Sequence, residues 1–206
     1  MSMMRLKSSG QPGLMTDSSI PPTSPYAGEG SAAGRDVEAA KALLEEAGYD
    51  GRTYRLACTS NRAGLAALMQ QNLADAGISI SIETVDSATM FAGMSDGTYD
   101  MGIASHTPGP LPLWFVGTRL TENNNIFHVS DLSEYDVYIQ RIQMETDPDA
   151  KQDLVQALED YLAQERPFVP LWFGTALHAQ SPTVSGIDYA SSSFSNENVW
   201  EWEKQE

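Results

Sequence analysis

Three histidines, His106, His128 and His178, are the side chains best suited to move a proton near neutral pH or to hold a metal. They lie far apart in the 206-residue chain, and none has a second ligand at metal spacing. A hydrolase built on His106 would need a nucleophile and an orienting carboxylate within reach, and no motif supplies either. The single cysteine, Cys58, permits no internal disulfide and no Cys-based zinc site; in its apolar stretch it reads as a packed small hydrophobe. "DPD" at 147–149 resembles part of a calcium loop but lacks the Gly and the terminal Glu, so a helix cap explains it better. "GEGSAAG" at 28–34 has no strand before it and no Lys after it, which argues against a phosphate loop. "TENNNIFH" at 121–128 offers amides to a polar ligand or simply forms a loop. The pairs Trp114/Phe115 and Trp172/Phe173 line a groove or fill a core. No catalytic residue, metal or cofactor is expected.

Composition narrows the partners. A net charge of −16 argues against nucleic acid and against anionic membrane surfaces, both of which need clustered Lys and Arg. No apolar run approaches the roughly 18 residues of a membrane span. The N-terminal "MSMMRLKSSGQPGL" lacks the apolar core of a signal peptide. At 41% hydrophobic residues, the chain can build one sizeable core.

The elements that must position any site are legible from Asp36 onward. Residues 1–35, with "SSIPPTSPYAGEGSAAG", read as an irregular lead-in. In "DVEAAKALLEEAGYDG", Asp36 caps a helix with Val37, Ala40, Leu43, Leu44 and Ala47 at helical spacing, and Gly48 ends it. "TYRLACTS" alternates as a strand. "NRAGLAALMQQNLADAG" is a helix stopped by Gly77, and "ISISIETV" alternates again. Strand, helix and strand with short joints predict a parallel βαβ unit. Ser87 is placed to cap a short helix through Met94, and "YDMGIAS" is a third strand. Further on, Tyr135, Tyr138, Ile139 and Ile142 form one stripe. Asp147 and Pro148 open a helix that buries Leu154, Val155, Leu158, Tyr161 and Leu162. Pro170 marks the strand-like "FVPLWFGTALHAQSP" as an edge or a bulge.

In an open parallel sheet, ligands gather beyond the carboxyl ends of the strands. Those ends are "TSNR", Thr59 to Arg62, and "SHTPGPLPLW", Ser105 to Trp114. Ser60 and Asn61 also open a helix, where free N–H groups attract an anion or a carboxylate. The candidate ligand contacts are Ser60, Asn61, Ser105, His106, Thr107 and Trp114. Pro108, Pro110 and Pro112 stiffen the second segment into a shaped wall.

Five motifs in order, "DVEAAKALLEEAGY", "LMQQNLADAGISISIETVD", "GTYDMGI", "DPDAKQDLVQALEDYLAQERPFVPLWF" and "VSGID", resemble the C-terminal half of the extracellular solute-binding proteins of family 5. These are the oligopeptide, dipeptide and nickel-type receptors of ABC importers. The resemblance runs from about Ile20 to Trp202. It implies an α/β fold, a type II periplasmic-binding-protein lobe with a mixed sheet flanked by helices. It also implies that a small-molecule or peptide ligand is trapped between two lobes, and that the receptor works with ABC transporter permease subunits. The location implied is extracytoplasmic, periplasmic or cell-surface, with membrane association only through a lipid anchor that this chain does not carry. On this reading residues 1–35 lead in from an N-terminal lobe, 36–185 form the ligand-binding lobe and 186–206 return. Peptide-binding members carry Gly-Trp and then an amine-holding Asp after the "YDM" strand. Counted from Asp100, this chain has Ser105 and His106 at the first two positions and Gly109 at the Asp, so the resemblance does not extend to the amine anchor. The rival expectation is a stand-alone protein-interaction module that has lost ligand binding.

Overall fold

Alternation over residues 53–58 and 79–84, with a helical repeat between, produces a strand–helix–strand unit in the computed structural model, which describes residues 13–22, 24–27, 34–105, 120–121, 124–129, 133–174, 181–187 and 199–204. The order begins β1 (Gly13–Met15), α1 (Val37–Glu46), β2 (Thr53–Cys58), α2 (Ala63–Asp75), β3 (Ser79–Thr84), α3 (Ser87–Ser95) and β4 (Met101–Ile103). It continues with β5 (Leu120–Thr121), β6 (Asn124–Asn125), α4 (Ser133–Met144), α5 (Pro148–Glu165), β7 (Trp172–Gly174), β8 (Val184–Ser185) and β9 (Glu203–Lys204). No described helix is long and apolar enough to cross a membrane.

β2 is the central strand of a three-stranded sheet, with β3 and β4 on either side and both parallel to it. Thr53 lies opposite Ser79 and Leu56 opposite Met101, as the expected βαβ topology requires. Leu56, Ala57 and Cys58 are all fully buried. Successive side chains point to opposite faces, so three buried in a row mean that both faces are covered. Leu56 and Cys58 pack with Ile80, Ile103 and Ala66 of α2. Ala57 packs on the other face with Met90 of α3 and with Tyr99. The result is a sheet between two helices. The other strand pairs, β1–β7, β5–β6 and β8–β9, are antiparallel, which makes the fold mixed α/β.

Local chemistry sets the helix ends. Asp36 accepts a hydrogen bond from the Ala39 amide and Asp147 from the Ala150 amide, each at 2.9 Å, and Pro148 begins α5. Gly48 and Gly77 take φ of +65° and +93° where α1 and α2 stop, a conformation that costs other residues a Cβ clash. The cap of α3 is a correction to the sequence reading. Asp86 holds that position, and Ser87 is the first helical residue. From one residue earlier, the Asp86 carboxylate accepts from both the Thr89 amide at 3.0 Å and the Thr89 hydroxyl at 2.6 Å, a pair of bonds that Ser87 does not make.

A second core lies in the α4–α5 hairpin, where Tyr135, Ile142, Val155, Leu158 and Leu162 are buried. Ile20 joins them at 3% exposure, although its own stretch offers few partners. It is delivered by Glu159 of α5, whose carboxylate accepts from the Ser18 hydroxyl at 2.6 Å, from the Ser19 amide at 3.0 Å and from the Ser19 hydroxyl. The stretch around Ile20 thus lacks regular structure yet is packed. Conversely, α1 has no buried residue, and Leu43 of its apolar stripe is 65% exposed. Tyr135 is buried with no hydrogen-bond partner for its hydroxyl among the described residues, and burial pushes its phenol well above the ordinary value.

Two glycines give opposite expectations. A Cβ on Gly93 of α3 would fall 2.4 Å from the Tyr99 ring, whereas one on Gly64 of α2 meets nothing within 4 Å. Gly93→Ala is expected to lower stability by about 1–3 kcal/mol through overpacking. Gly64→Ala should raise it by about 0.4–1 kcal/mol by restricting the unfolded chain. Urea unfolding of the two variants beside the parent checks both signs, and a neutral Gly93→Ala would mean that α3 is free to move off the sheet.

Candidate functional site

β2 ends at Cys58 and β4 at Ile103, so Thr59 and Ala104 are the first residues beyond two neighbouring strands. β3 leaves through Val85 and Asp86 into α3. These three exits surround a cleft of about 230 Å³. The β2 exit contributes Thr59, Asn61 and Arg62; α3 contributes Ser87, Met90 and Phe91; the β4 exit contributes Ile103, Ala104 and Ser105. Met90 and Ile103, at 1% and 5% exposure, are shared with the two sheet cores and give the cleft an apolar floor.

The turn after β2 sets the polar wall. Ser60–Arg62 form a single 3-10 turn, closed by the Arg62 amide donating to the Thr59 carbonyl at 2.8 Å. The Thr59 hydroxyl donates to Asn61 Oδ1 at 2.6 Å. That bond occupies the acceptor end of the Asn61 amide and leaves its NH2 as a donor. The Arg62 guanidinium carbon lies 6.0 Å from the centre of the Trp172 ring on β7, within reach of a cation–π contact. Arg62 makes no ion pair among the described residues. By contrast, Arg52 pairs with Asp100 and Arg55 with Glu83, each at 2.8 Å. The Arg55 bond holds the Glu83 carboxyl below its ordinary range. No carboxylate lines the cleft among the described residues. Asp86 lies next to Ser87, but its carboxylate is turned to Thr89; the Thr89 hydroxyl, and after it the Thr89 amide, hold its pKa below the ordinary value. No group of His, Cys, Asp or Glu able to hold a metal occurs among the described residues.

Of the residues singled out from sequence, Asn61 and Ser105 come together in this cleft. Ser60 is exposed beside it and is not part of its lining. His106, Thr107 and Trp114 lie outside the described residues. Sequence reasoning took strand ends two at a time and so missed Ser87, Met90 and Phe91. The rule that ligands gather beyond strand ends applies equally to β3, and would have pointed to Ser87. Thr59 and Arg62 stood in the quoted "TSNR" turn but were passed over for the residues between them.

Residues 7–127, more than half of the chain, match the family described as bacterial extracellular solute-binding proteins, family 5 middle. Among solved structures, the ABC transporter-associated periplasmic binding protein DppA from Helicobacter pylori, in complex with the peptide STSA, is similar with a TM-score of 0.76 at 18% identity; the match covers 94% of this chain and 40% of that one. NikA from Brucella suis, in complex with Fe(III)-EDTA, gives 0.74 at 22% identity, covering 94% and 43%. A dipeptide binding protein from a Pseudoalteromonas species, in complex with Met-Leu, gives 0.69 at 24% identity, covering 90% and 39%. The chain therefore spans well under half the length of these relatives. No curated protein matches the sequence. The fold of these structures is the type II periplasmic-binding-protein fold expected from the motifs.

The Asp86 cap fixes where α3 begins and so where Ser87, Met90 and Phe91 face the cleft. Asp86→Ala is expected to destabilise the chain with a distinct pH signature. A carboxylate whose folded-state pKa is lowered contributes fully above its ordinary value near 3.9, and the contribution is lost as pH falls through the lowered folded value. The gap between parent and variant urea midpoints should be constant from neutral pH down to the carboxylate range and then close. A gap that stays open in acid would assign the effect to something other than this cap.

Proposed function

Because the chain belongs to the bacterial extracellular solute-binding proteins of family 5, we propose that it is the ligand-binding C-terminal lobe of an ABC-importer receptor for peptides or another small polar solute. Family 5 proteins are non-enzymatic transport receptors. The observation that carries the reading is the cleft where three strand ends converge, polar on one wall and apolar on its floor. A concave site lined mainly by polar groups, with Met90 and Ile103 beneath them, suits a small polar solute. The structural neighbours were solved with a tetrapeptide, a dipeptide and a chelated iron, which marks peptides and small polar solutes as the ligand class to test.

On this reading Asn61 and Ser105 contact the ligand. Ser60, His106, Thr107 and Trp114 supply further contacts from the adjoining segments. Residues 36–185 form the lobe, and 1–35 and 186–206 connect it to a second lobe that closes over the ligand by a hinge motion. The receptor works outside the cytoplasm, periplasmic or held to the cell surface by a lipid anchor, and delivers its solute to the permease subunits of the transporter.

One wall of a two-walled site binds weakly. Titration calorimetry of the 206-residue chain against di- to pentapeptides should give nothing tighter than about −5 to −6 kcal/mol. In ¹⁵N-resolved spectra the same peptides should shift the amides of Asn61, Arg62, Ser87 and Ser105. If peptides and neutral solutes leave those amides unmoved while a partner protein binds elsewhere on the chain, it is an interaction module instead. A nanomolar peptide would show that one lobe alone completes the pocket.

A further inference from the structure

We propose that His128 is a positioning residue for the cleft. From the segment that precedes the α4–α5 hairpin, it anchors the carboxyl end of α3, the helix whose Ser87, Met90 and Phe91 form one wall. The inference rests on the cleft being the ligand site for its use, though not for its geometry. Helix α3 has nine residues, too few to hold itself in water, so its place is set by what grips its two ends. Asp86 grips the first. At the other end the last carbonyls need donors from outside the helix. The Ala92 carbonyl accepts from the Asp96 amide and the Gly93 carbonyl from the Tyr99 amide, each at 3.0 Å. The Met94 carbonyl is bonded to His128 Nε2 at 2.6 Å, across 34 residues of chain. A carbonyl has no proton to give, so the ring carries its hydrogen on Nε2 and donates. The Met94 side chain is fixed as well. Its sulfur lies against Gly102 of β4, where a Cβ on that glycine would overlap it.

The turn that carries His128 closes without the ring. Asn125 donates from Nδ2 to the Val129 carbonyl at 2.7 Å and accepts from the Val129 amide at 3.1 Å. His128 itself takes a φ of +52°, in the left-handed region that glycine and asparagine occupy at lower cost. An imidazole at such a position is accounted for by what its ring reaches. On either side of it, Phe127 and Val129 pack on the hairpin core, and Ile126 is buried. Met94, at the other end of the bond, packs with Ala57, Met90 and Tyr99. Those two cores share no residue among the described ones. His128 therefore ties the helix that lines the cleft to a core that the helix does not touch with its own buried side chains. The bond fixes where α3 ends, as the Asp86 cap fixes where it begins. Ser87, Met90 and Phe91 lie between the two.

The test is ¹⁵N-resolved hydrogen exchange of the full 206-residue chain, which needs no ligand. His128→Gly removes the ring and relieves the backbone. His128→Asn also suits the left-handed backbone, and its shorter amide falls short of Met94. Both should speed exchange in the last turn of α3, at the Phe91 and Met94 amides, by about two- to tenfold relative to the amides of Leu56–Cys58. That is the scale of one hydrogen bond. Both should also shift the Met90 and Phe91 amide signals. His128→Gln places a donor near the position of Nε2 and should return most of the protection. The Val129 amide should stay protected in all three variants, since Asn125 still holds it. Exchange that speeds in step across α3 and β2 would show a residue that only stabilises the fold, and overturns the proposal. Unchanged α3 exchange in both His128→Gly and His128→Asn overturns it too. So does His128→Gln exchanging as fast as His128→Gly, because the donor would then not be what holds the helix. Peptides that leave the cleft amides of the parent unmoved strike the ligand-site reading instead, so the two failures are told apart.

Discussion

The second half of β2 must be buried on both faces, and most of the structure around the cleft follows from how that is done. Leu56 and Cys58 turn one way and Ala57 the other, all with no accessible surface. Burying polar backbone on both sides is tolerable only because β3 and β4 take up its hydrogen bonds along both edges. The two faces then need cover of different depth. α2 lies over the larger residues, Leu56, Cys58 and Ile80, whereas α3 comes in against Ala57. Close approach on that side is possible because Gly93 leaves room for the Tyr99 ring. The buried end of the strand, Leu56–Cys58, carries no charged or hydroxyl side chain, and polar groups resume one residue beyond it, at Thr59. The constraint that makes the sheet stable also places the recognition groups at its rim.

What was legible in the sequence is what local chemistry decides. Asp36 and Asp147 cap helices because a carboxylate there reaches the amide three residues on, whatever the rest of the chain does. Ile78, Ile80 and Ile82 declare a strand by alternation, and Gly48 and Gly77 declare stops by the backbone angle they permit. The α/β class followed from these signals, and the type II lobe from the resemblance of five ordered motifs to family 5. The choice of Asp86 over Ser87 was decided by Thr89, whose hydroxyl and amide both point to the earlier residue. α1 has a helical apolar stripe, yet no described residue of it is buried, because periodicity says which residues share a face and not whether anything covers it. Ile20 was hidden for the opposite reason. Its partners lie in a hairpin more than a hundred residues away, and no window of sequence contains both.

The cleft shows the same division. The rule about strand ends located two of its three sides and two of its described residues, Asn61 and Ser105. It could not show that Thr59 consumes the acceptor end of Asn61, or that a tryptophan from β7 stands by Arg62. Both are matters of side-chain geometry between segments.

The bonds from Ser18 and Ser19 to Glu159 bear on how the chain is made as well as on how it is held. The Ser18 contact spans 141 residues, and β1 pairs with β7 across a similar distance. At about 5–20 residues per second, roughly 7–28 s of synthesis separate Ser18 from Glu159. The βαβ unit is complete long before that. The sheet can therefore consolidate while the segment ahead of it, Ile20 included, still has no place to dock. For that interval the chain carries an exposed β1 segment and an unburied isoleucine ahead of a finished sheet. The hairpin of α4 and α5 closes the structure by capturing a segment made well before it, so residues 18–20 dock later than the sheet that follows them in the chain.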